Sequence, residues 1–255
     1  MDEKLKEIIL KSGNNLHTEV AQQLEYLGWD VEISAYYNDD ITDKPREIDI
    51  VASRDVGINP DKLGTSKFRV FLLIECKYFK EQVAFRVYEN QKQDGLDAII
   101  THGFNQNILD ERNTNLSTSH HYISTAKVGK LYDSKDNNEI FQALTGTAKS
   151  ILFFKEKRSV LGIFYPVVIY DGISGLYEVN DDDLSKLDSL KPTENLLFHL
   201  NYSYRNSTTN KFQTQSFFVD VIRKNRLEDF HNLIAREIGE IKRFADFISR
   251  QKTIL

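Results

Sequence analysis

The sequence predicts a mixed α/β protein: a central sheet flanked by helices, followed by a β-rich segment and a long C-terminal helix. Three observations carry this reading. Phe68 to Ile74 is apolar except for Arg69, as in a strand covered on both faces. Trp29, Val31, Ile33 and Ala35 alternate with Asp30, Glu32 and Ser34, the period-two pattern of a half-buried strand. Leu16, Val20, Leu24 and Leu27 recur at helical spacing, as do Phe230, Leu233, Ile234, Ile238, Ile241, Phe244 and Ile248 near the C-terminus.

The elements follow in chain order. Asn14 or Asn15 caps the first helix and Gly28 ends it. Strand Trp29 to Ala35 leads into a polar turn at Asn38 to Pro45, then strand Glu47 to Ser53. Gly57, Asn59, Pro60 and Gly64 make Arg54 to Lys67 a loop before the central strand, Phe68 to Tyr78. Lys80 to Gln93 reads as a helix through Ala84, Val87, Tyr88 and Gln91. Asp97 to Thr101 reads as a short buried strand, Phe104 to Ser119 as a loop and His120 to Ala126 as a short strand. Asn138 to Phe154 is helical through Ile140, Leu144, Ala148 and Ile151. The texture then changes: Val160 to Tyr170, Asn195 to Tyr204 and Ser216 to Ile222 are β-like, Asp181 to Pro192 is a polar connection, and Leu227 to Gln251 closes the chain as a helix. This shift divides a core at 1–155 from a segment at 156–255. No Gly/Ser or Pro-rich linker separates them, so the second is expected to pack on the first.

The chain has 255 residues, 40% hydrophobic and 28% charged, which suits a globular protein with a sizeable core. There is no apolar run of transmembrane length. The opening Met1-Asp2-Glu3-Lys4-Leu5-Lys6 lacks a secretory pattern, and a single cysteine, Cys76, rules out an internal disulfide framework. The expected compartment is the cytoplasm, with no membrane partner. A net charge of -5 weighs mildly against nucleic-acid binding. The charges are uneven, however: Lys149 to Arg158 and Arg223 to Lys252 lean basic, and carboxylates around a cation would add negative charge.

The chemistry concentrates at Asp49, Glu75 and Lys77. Side chains alternate across a strand, so Glu75 and Lys77 share a face at the end of a strand that otherwise buries hydrocarbon. If adjacent strands bring Asp49 beside Glu75, the two carboxylates suit a hard divalent cation. Mg²⁺ fits such a site and Mn²⁺ would substitute. The backbone carbonyl of Cys76 would add a further oxygen. Lys77 would orient or deprotonate an attacking water, or neutralise developing charge on a phosphate.

On these residues the chain resembles the PD-(D/E)xK nucleases of restriction-endonuclease-like fold, in particular their Mrr-like branch. The resemblance rests on Asp49…Glu75-Cys76-Lys77-Tyr78, on Glu19…Leu27-Gly28-Trp29-Asp30-Val31, and on Thr101-His102-Gly103-Phe104. It spans about Asn14 to Ala126. Ile48 stands where the family motif has proline. The resemblance implies metal-dependent hydrolysis of phosphodiester bonds, usually in DNA, with Asp49 and Glu75 as metal ligands and Lys77 as the catalytic lysine. Glu19 matches a helical glutamate that some members add to the metal, and a solvated helix residue is an equal reading. Cleavage of both strands of a duplex implies a homodimer, and the family points to prokaryotic defence or DNA processing. The rival reading is an inactive nuclease fold that binds nucleic acid or a protein partner.

The remaining candidates have plainer readings. Glu47 shares the Asp49 face and reads as an exposed charge. Cys76 points away from Glu75 and reads as a small buried hydrophobe. His120 and His121 lack the spaced partners of a zinc site. His102 reads as a loop residue, Gln91 and Lys92 as a solvated helix face, and Asp181-Asp182-Asp183 as a solvated turn. Lys155, Lys157, Arg158, Arg223, Lys224 and Arg226 read as solubility charge, and Tyr202 and Tyr204 as packing.

Overall fold

The structure is a computed structural model, and it describes residues 13–39, 43–57, 68–103, 119–131, 138–157, 161–180, 190–205 and 211–252. Helix α1 (Gly13–Tyr26) is stopped by Gly28, which sits at φ +84°, a conformation that side chains resist. The Gly28 N–H donates to the Glu25 carbonyl and the Trp29 N–H to the Leu24 carbonyl, satisfying acceptors that the helix end would leave bare. Strand β1 (Asp30–Asp39) then pairs antiparallel with β2 (Lys44–Asp55), from Asp30↔Ser53 to Asp39↔Lys44. Strand β2 pairs in turn with β3 (Phe68–Tyr78), from Asp55↔Arg69 to Ile50↔Ile74.

Three expectations fail after β3. The predicted helix at Lys80 to Gln93 is instead strand β4 (Val83–Glu89), which buries Val83, Phe85 and Val87 and leaves Ala84, Arg86 and Tyr88 half-buried. The segment satisfies both periods, and its β-branched and aromatic residues favour the strand. The predicted strand at Asp97 to Thr101 belongs to helix α2 (Lys92–Thr101), which buries Gly95, Ala98 and Ile99 at helical spacing. Such a short apolar run does not declare its own period. The predicted strand at His120 to Ala126 is a four-residue helix, α3 (His121–Ser124), capped by the His120 ring, with strand β5 (Lys127–Leu131) following.

Helix α4 (Asn138–Lys157) leads into β6 (Leu161–Asp171), which lies parallel to β3 from Phe68↔Leu161 to Tyr78↔Asp171. A parallel neighbour requires a crossover, and α4 supplies it. The helix and strand expected directly after β3 are thus found at α4 and β6, and β4, α2, α3 and β5 form an excursion between. Strands β7 (Leu176–Asn180) and β8 (Lys191–Thr193) were not anticipated. They precede β9 (Asn195–Arg205), β10 (Phe212–Arg223), a 3₁₀ turn at Lys224–Arg226 and α5 (Leu227–Lys252).

All ten strands join one mixed sheet in the order β1-β2-β3-β6-β10-β9-β5-β4-β7-β8. The sheet continues through the point near residue 155 where the sequence texture changes. One face packs under α1, α2 and α5 through Leu16, Val20, Leu24, Ile99, Phe230 and Ile234. The other packs under α4 through Ile140, Leu144, Ala148 and Ile151. Burial of the Leu, Ile, Val and Phe side chains among these contributes roughly 1.5–3 kcal/mol each before chain entropy is subtracted. Residues 58–67, 104–118 and 181–189, which hold most of three predicted connections and the Asp181-Asp182-Asp183 run, lie outside the described residues. Among the described residues, no helix is long and apolar enough to cross a membrane.

Candidate active site

The β2–β3 ladder stops at Ile50↔Ile74, one residue short of Asp49 and Glu75. The next inward-facing donor of β3 is the Cys76 N–H, and it is taken by Asp49 Oδ2 at 2.7 Å. A side chain therefore stands where the ladder would place a backbone carbonyl, and β2 is free to diverge. N–H and C=O of one strand residue point to the same edge, so the Cys76 carbonyl opens on the same gap. The Cys76 thiol belongs to the opposite, α1-side core, where burial pushes its pKa well up.

Glu75 is buried, and its Oε2 accepts a hydrogen bond from Lys77 Nζ at 2.8 Å. Its other oxygen faces α4. A Cβ built on Gly146 would come within 3.2 Å of Glu75 Oε1, so the missing side chain at 146 lets the helix pass close to the carboxylate. Burial pushes Glu75 up to about 7; Lys77 opposes this, and the charges of Asp49 and Glu47 add to it. Burial alone would lower the Lys77 pKa, but Glu75, with help from Asp49, raises it. The group thus holds two carboxylates short of positive charge and one ammonium shared with them.

Beside it opens a cleft of about 380 Å³. Glu75 and Lys77 form its floor, Tyr37, Asp39, Arg46 and Glu47 of the β1–β2 hairpin one wall, and Gln142, Thr145, Gly146 and Lys149 of α4 the other. Of these, Glu47 was weighed from the sequence as an exposed charge, and it is exposed. The α4 contribution was missed because the helix expected to face the site was placed at Lys80 to Gln93. Gln91 and Lys92 instead begin α2, exposed. The signal that could have given α4 this role is Gln142, Gly146 and Lys149, which recur at helical spacing away from the apolar positions Ile140, Leu144, Ala148 and Ile151.

Other sequence candidates are placed elsewhere. Glu19 rides on α1, over the opposite face of the sheet, where it accepts hydrogen bonds from Asn15 at 2.7 Å and from Lys224. Lys224 lowers its pKa. Arg223 and Arg226 pair with Glu194 at 2.7 and 2.6 Å, at the rim of a larger hollow of about 600 Å³ whose charges are mutually satisfied. Lys155 donates to the Thr101 carbonyl at 3.1 Å, at the C-terminal end of α2. Tyr202 and Tyr204 pack in the α4-side core. The side chains of Lys157 and Arg158 lie outside the described residues. His102, read as a loop residue, is fully buried at the end of α2, its ring nitrogens meet no hydrogen-bond partner among the described residues, and burial holds its pKa well down.

A second polar cluster lies inside the α5-side core. Ligand atoms of His120, His121 and Glu237 fall within 4.8 Å of one another, close enough for a metal ion by distance alone. The hydrogen bonding favours protons instead. Glu237 accepts the His121 backbone N–H at 2.7 Å, the His121 Nδ1–H at 2.8 Å and the Tyr165 hydroxyl at 2.9 Å. His121 Nε2 faces Asp220 Oδ2 at 3.1 Å, so both ring nitrogens meet carboxylates. His120 Nδ1 accepts the Tyr122 N–H at 3.2 Å, which leaves the ring proton on Nε2, the atom a metal would need. The two rings are stacked with an interplanar angle of 15°, so their in-plane lone pairs do not converge. Burial opposes charge on His121, but Glu237 and Asp220 outweigh it and push it up to about 10. Burial holds His120 down to about 4, and the two histidines overcome burial to bring Glu237 to about 2. The cluster is an internal ion network around a charged His121.

Compared with known proteins, the chain matches no family model, no curated protein and no solved structure.

Proposed function

We propose that this protein is a metal-dependent phosphodiesterase acting on nucleic acid, a DNA endonuclease of the restriction-endonuclease-like, PD-(D/E)xK kind. The observation that carries the reading is the parting of β2 from β3 at Asp49. It sets the Asp49 carboxylate against the Cys76 N–H, one residue from the Glu75–Lys77 pair that lines an open polar cleft. With the β4-to-β5 excursion set aside, the order α1-β1-β2-β3-α4-β6, with β3 and β6 parallel, supports the same assignment.

Asp49, Glu75 and the Cys76 carbonyl form an all-oxygen donor set suited to Mg²⁺ or Mn²⁺. The elevated pKa of Glu75 fits, because a buried carboxylate beside another carboxylate is a group that a cation would stabilise in its charged form. When bound, the ion would polarise a phosphate oxygen and lower the pKa of its water. Glu75 holds Lys77 in place, and the Lys77 ammonium can orient the attacking water or offset charge gathering on the phosphate. The α4 wall limits access to the cleft from one side. Cleavage of duplex DNA by a homodimer, in the cytoplasm, in defence or DNA processing, completes the proposal.

The test is incubation of the protein with plasmid, linear duplex, single-stranded DNA and RNA, in Mg²⁺ or in chelator, beside Lys77→Ala. Phosphodiester cleavage that needs the metal and is lost in Lys77→Ala is the expected result. Cleavage that persists in chelator or in Lys77→Ala rejects the mechanism. Binding without cleavage in Mg²⁺, and again with Mn²⁺ in its place, would assign the fold to recognition alone.

A further inference from the structure

Asp39 is the last residue of β1, and its side chain is 0% exposed. A carboxylate stripped of water at the end of an edge strand is costly unless positive charge is held against it. Two cations are: Lys149 Nζ from α4 at 2.7 Å and Arg46 Nε from β2 at 3.7 Å. Both line the cleft that Glu75 and Lys77 floor. One carboxylate set between two cations leaves positive charge over, and each cation keeps N–H donors that Asp39 does not take. Lys149 also stands 5.7 Å from the centre of the Tyr202 ring, which restrains it further. The cleft therefore holds two charged groups, the Glu75–Lys77 pair on its floor and the Asp39-held cations Arg46 and Lys149 on its walls, with Glu47 as a further carboxylate of the lining.

We propose that Arg46 and Lys149, positioned by the buried Asp39, form a second anionic subsite that grips the backbone phosphate next to the scissile one. The inference rests on the nuclease reading, and deepens it by assigning this wall to substrate phosphate. Asp39 is a positioning residue. It is enclosed, and it acts by aiming two cations. The arrangement reads no base edge, so it contributes affinity and register without sequence preference.

The test is equilibrium binding of a short DNA oligonucleotide in Ca²⁺, which fills oxygen sites without the need to turn over, across a salt series. Arg46→Gln and Lys149→Gln should each weaken binding and reduce the slope of log affinity against log salt by roughly 0.7–0.9. Cleavage at saturating DNA in Mg²⁺ should stay within about threefold of wild type, which places the loss in KM and not in kcat. A DNA carrying one neutral methylphosphonate beside the scissile phosphate should weaken wild-type binding, with little further loss in Lys149→Gln. Lys149→Gln strands the Asp39 charge, so the double variant Asp39→Asn/Lys149→Gln, checked by circular dichroism, guards against a folding defect. Unchanged salt slopes in Arg46→Gln and in the double variant, with wild-type cleavage intact, would overturn the subsite and leave the nuclease reading standing. A wild-type protein that neither binds nor cuts nucleic acid overturns both.

Discussion

Glu75 and Glu237 are both buried carboxylates at the same sheet, one on β3 beneath α4 and the other carried by α5, yet they are served very differently. Glu237 accepts two N–H groups of His121 and the Tyr165 hydroxyl; burial pushes its pKa up, but His120 and His121 outweigh it and leave Glu237 at about 2. Glu75 accepts from Lys77 alone among the described residues, and burial leaves it at about 7. Both cost desolvation. The first recovers that cost within the protein and so reads as architecture. The second is left short of charge at the edge of a cleft, which is what a site for an external cation looks like. Burial of charge alone does not separate structure from function; the completeness of its internal partners does.

The largest effect should come at the unsatisfied end. Lys77→Ala and Glu75→Gln should each lower metal-dependent cleavage by roughly 10²–10⁴. Thermal unfolding of Glu75→Gln in chelator should show unchanged or higher stability at pH 8, since removing the charge removes a desolvation cost. A strongly destabilised Glu75→Gln would break the contrast with Glu237.

At the satisfied end the outcome reverses. Glu237→Gln leaves His121 charged and half-paired in the core, and breaking a buried pair costs about 3–5 kcal/mol. For a chain of this size that lowers the melting temperature by roughly 10 °C, with cleavage at low temperature little changed. A wild-type melting temperature within a degree or two would show that the network contributes nothing net.

The pH dependence separates the two regions without mutation. His121, raised to about 10, contributes stability that is full below about 6.5 and lost as pH rises toward 10. Glu237, at about 2, contributes stability present above about 4.5 and lost as pH falls toward 2; His120, at about 4, resists protonation and adds to the acid loss below about 6.5. Glu75 has the opposite sign from Glu237. Its folded pKa is raised to about 7, so it penalises the folded state progressively as pH rises from about 4.5 to 7. Mg²⁺ should remove that penalty, so the rise in melting temperature on adding Mg²⁺ should be larger at pH 8 than at pH 5.5. Equal shifts at the two pH values would place the ion away from Glu75.

The same contrast explains what was legible in the sequence. The charges at the end of β3 were visible because Glu75 and Lys77 interrupt an apolar strand, and alternation alone puts them on one face. Helix α1, the strands of the β1–β2 hairpin and α5 declared themselves by period. Helix α4 and strand β6 also declared themselves, at Asn138 to Phe154 and Val160 to Tyr170, but their place beside β3 did not, because Val83 to Glu89 fits both periods and the excursion before α4 has a length that no local pattern fixes. That error hid the α4 wall, and with it Gly146 and Lys149. The His121 network was equally hidden. Its members come from α3, β6, β10 and α5, and adjacent histidines carry no spacing signal; only tertiary packing brings Glu237 and Asp220 to them.

The smallest effect tests the residue that the motif and the geometry treat differently. Glu19 stands where the proposed nuclease reading would add a helical glutamate to the metal, but its carboxylate meets Lys224 on the far face of the sheet, with Asp171 3.7 Å from the same ammonium. The pair is half-exposed, so water and salt screen it, and such surface pairs contribute at most about 1 kcal/mol. Glu19→Gln should therefore change cleavage by less than about twofold and leave the Mg²⁺ dependence of the melting temperature as in wild type. A hundredfold loss of cleavage, with a weaker Mg²⁺ response, would mean that α1 shifts on metal binding and brings Glu19 to the ion, and would move Glu19 from the satisfied class of carboxylates to the one that Glu75 defines.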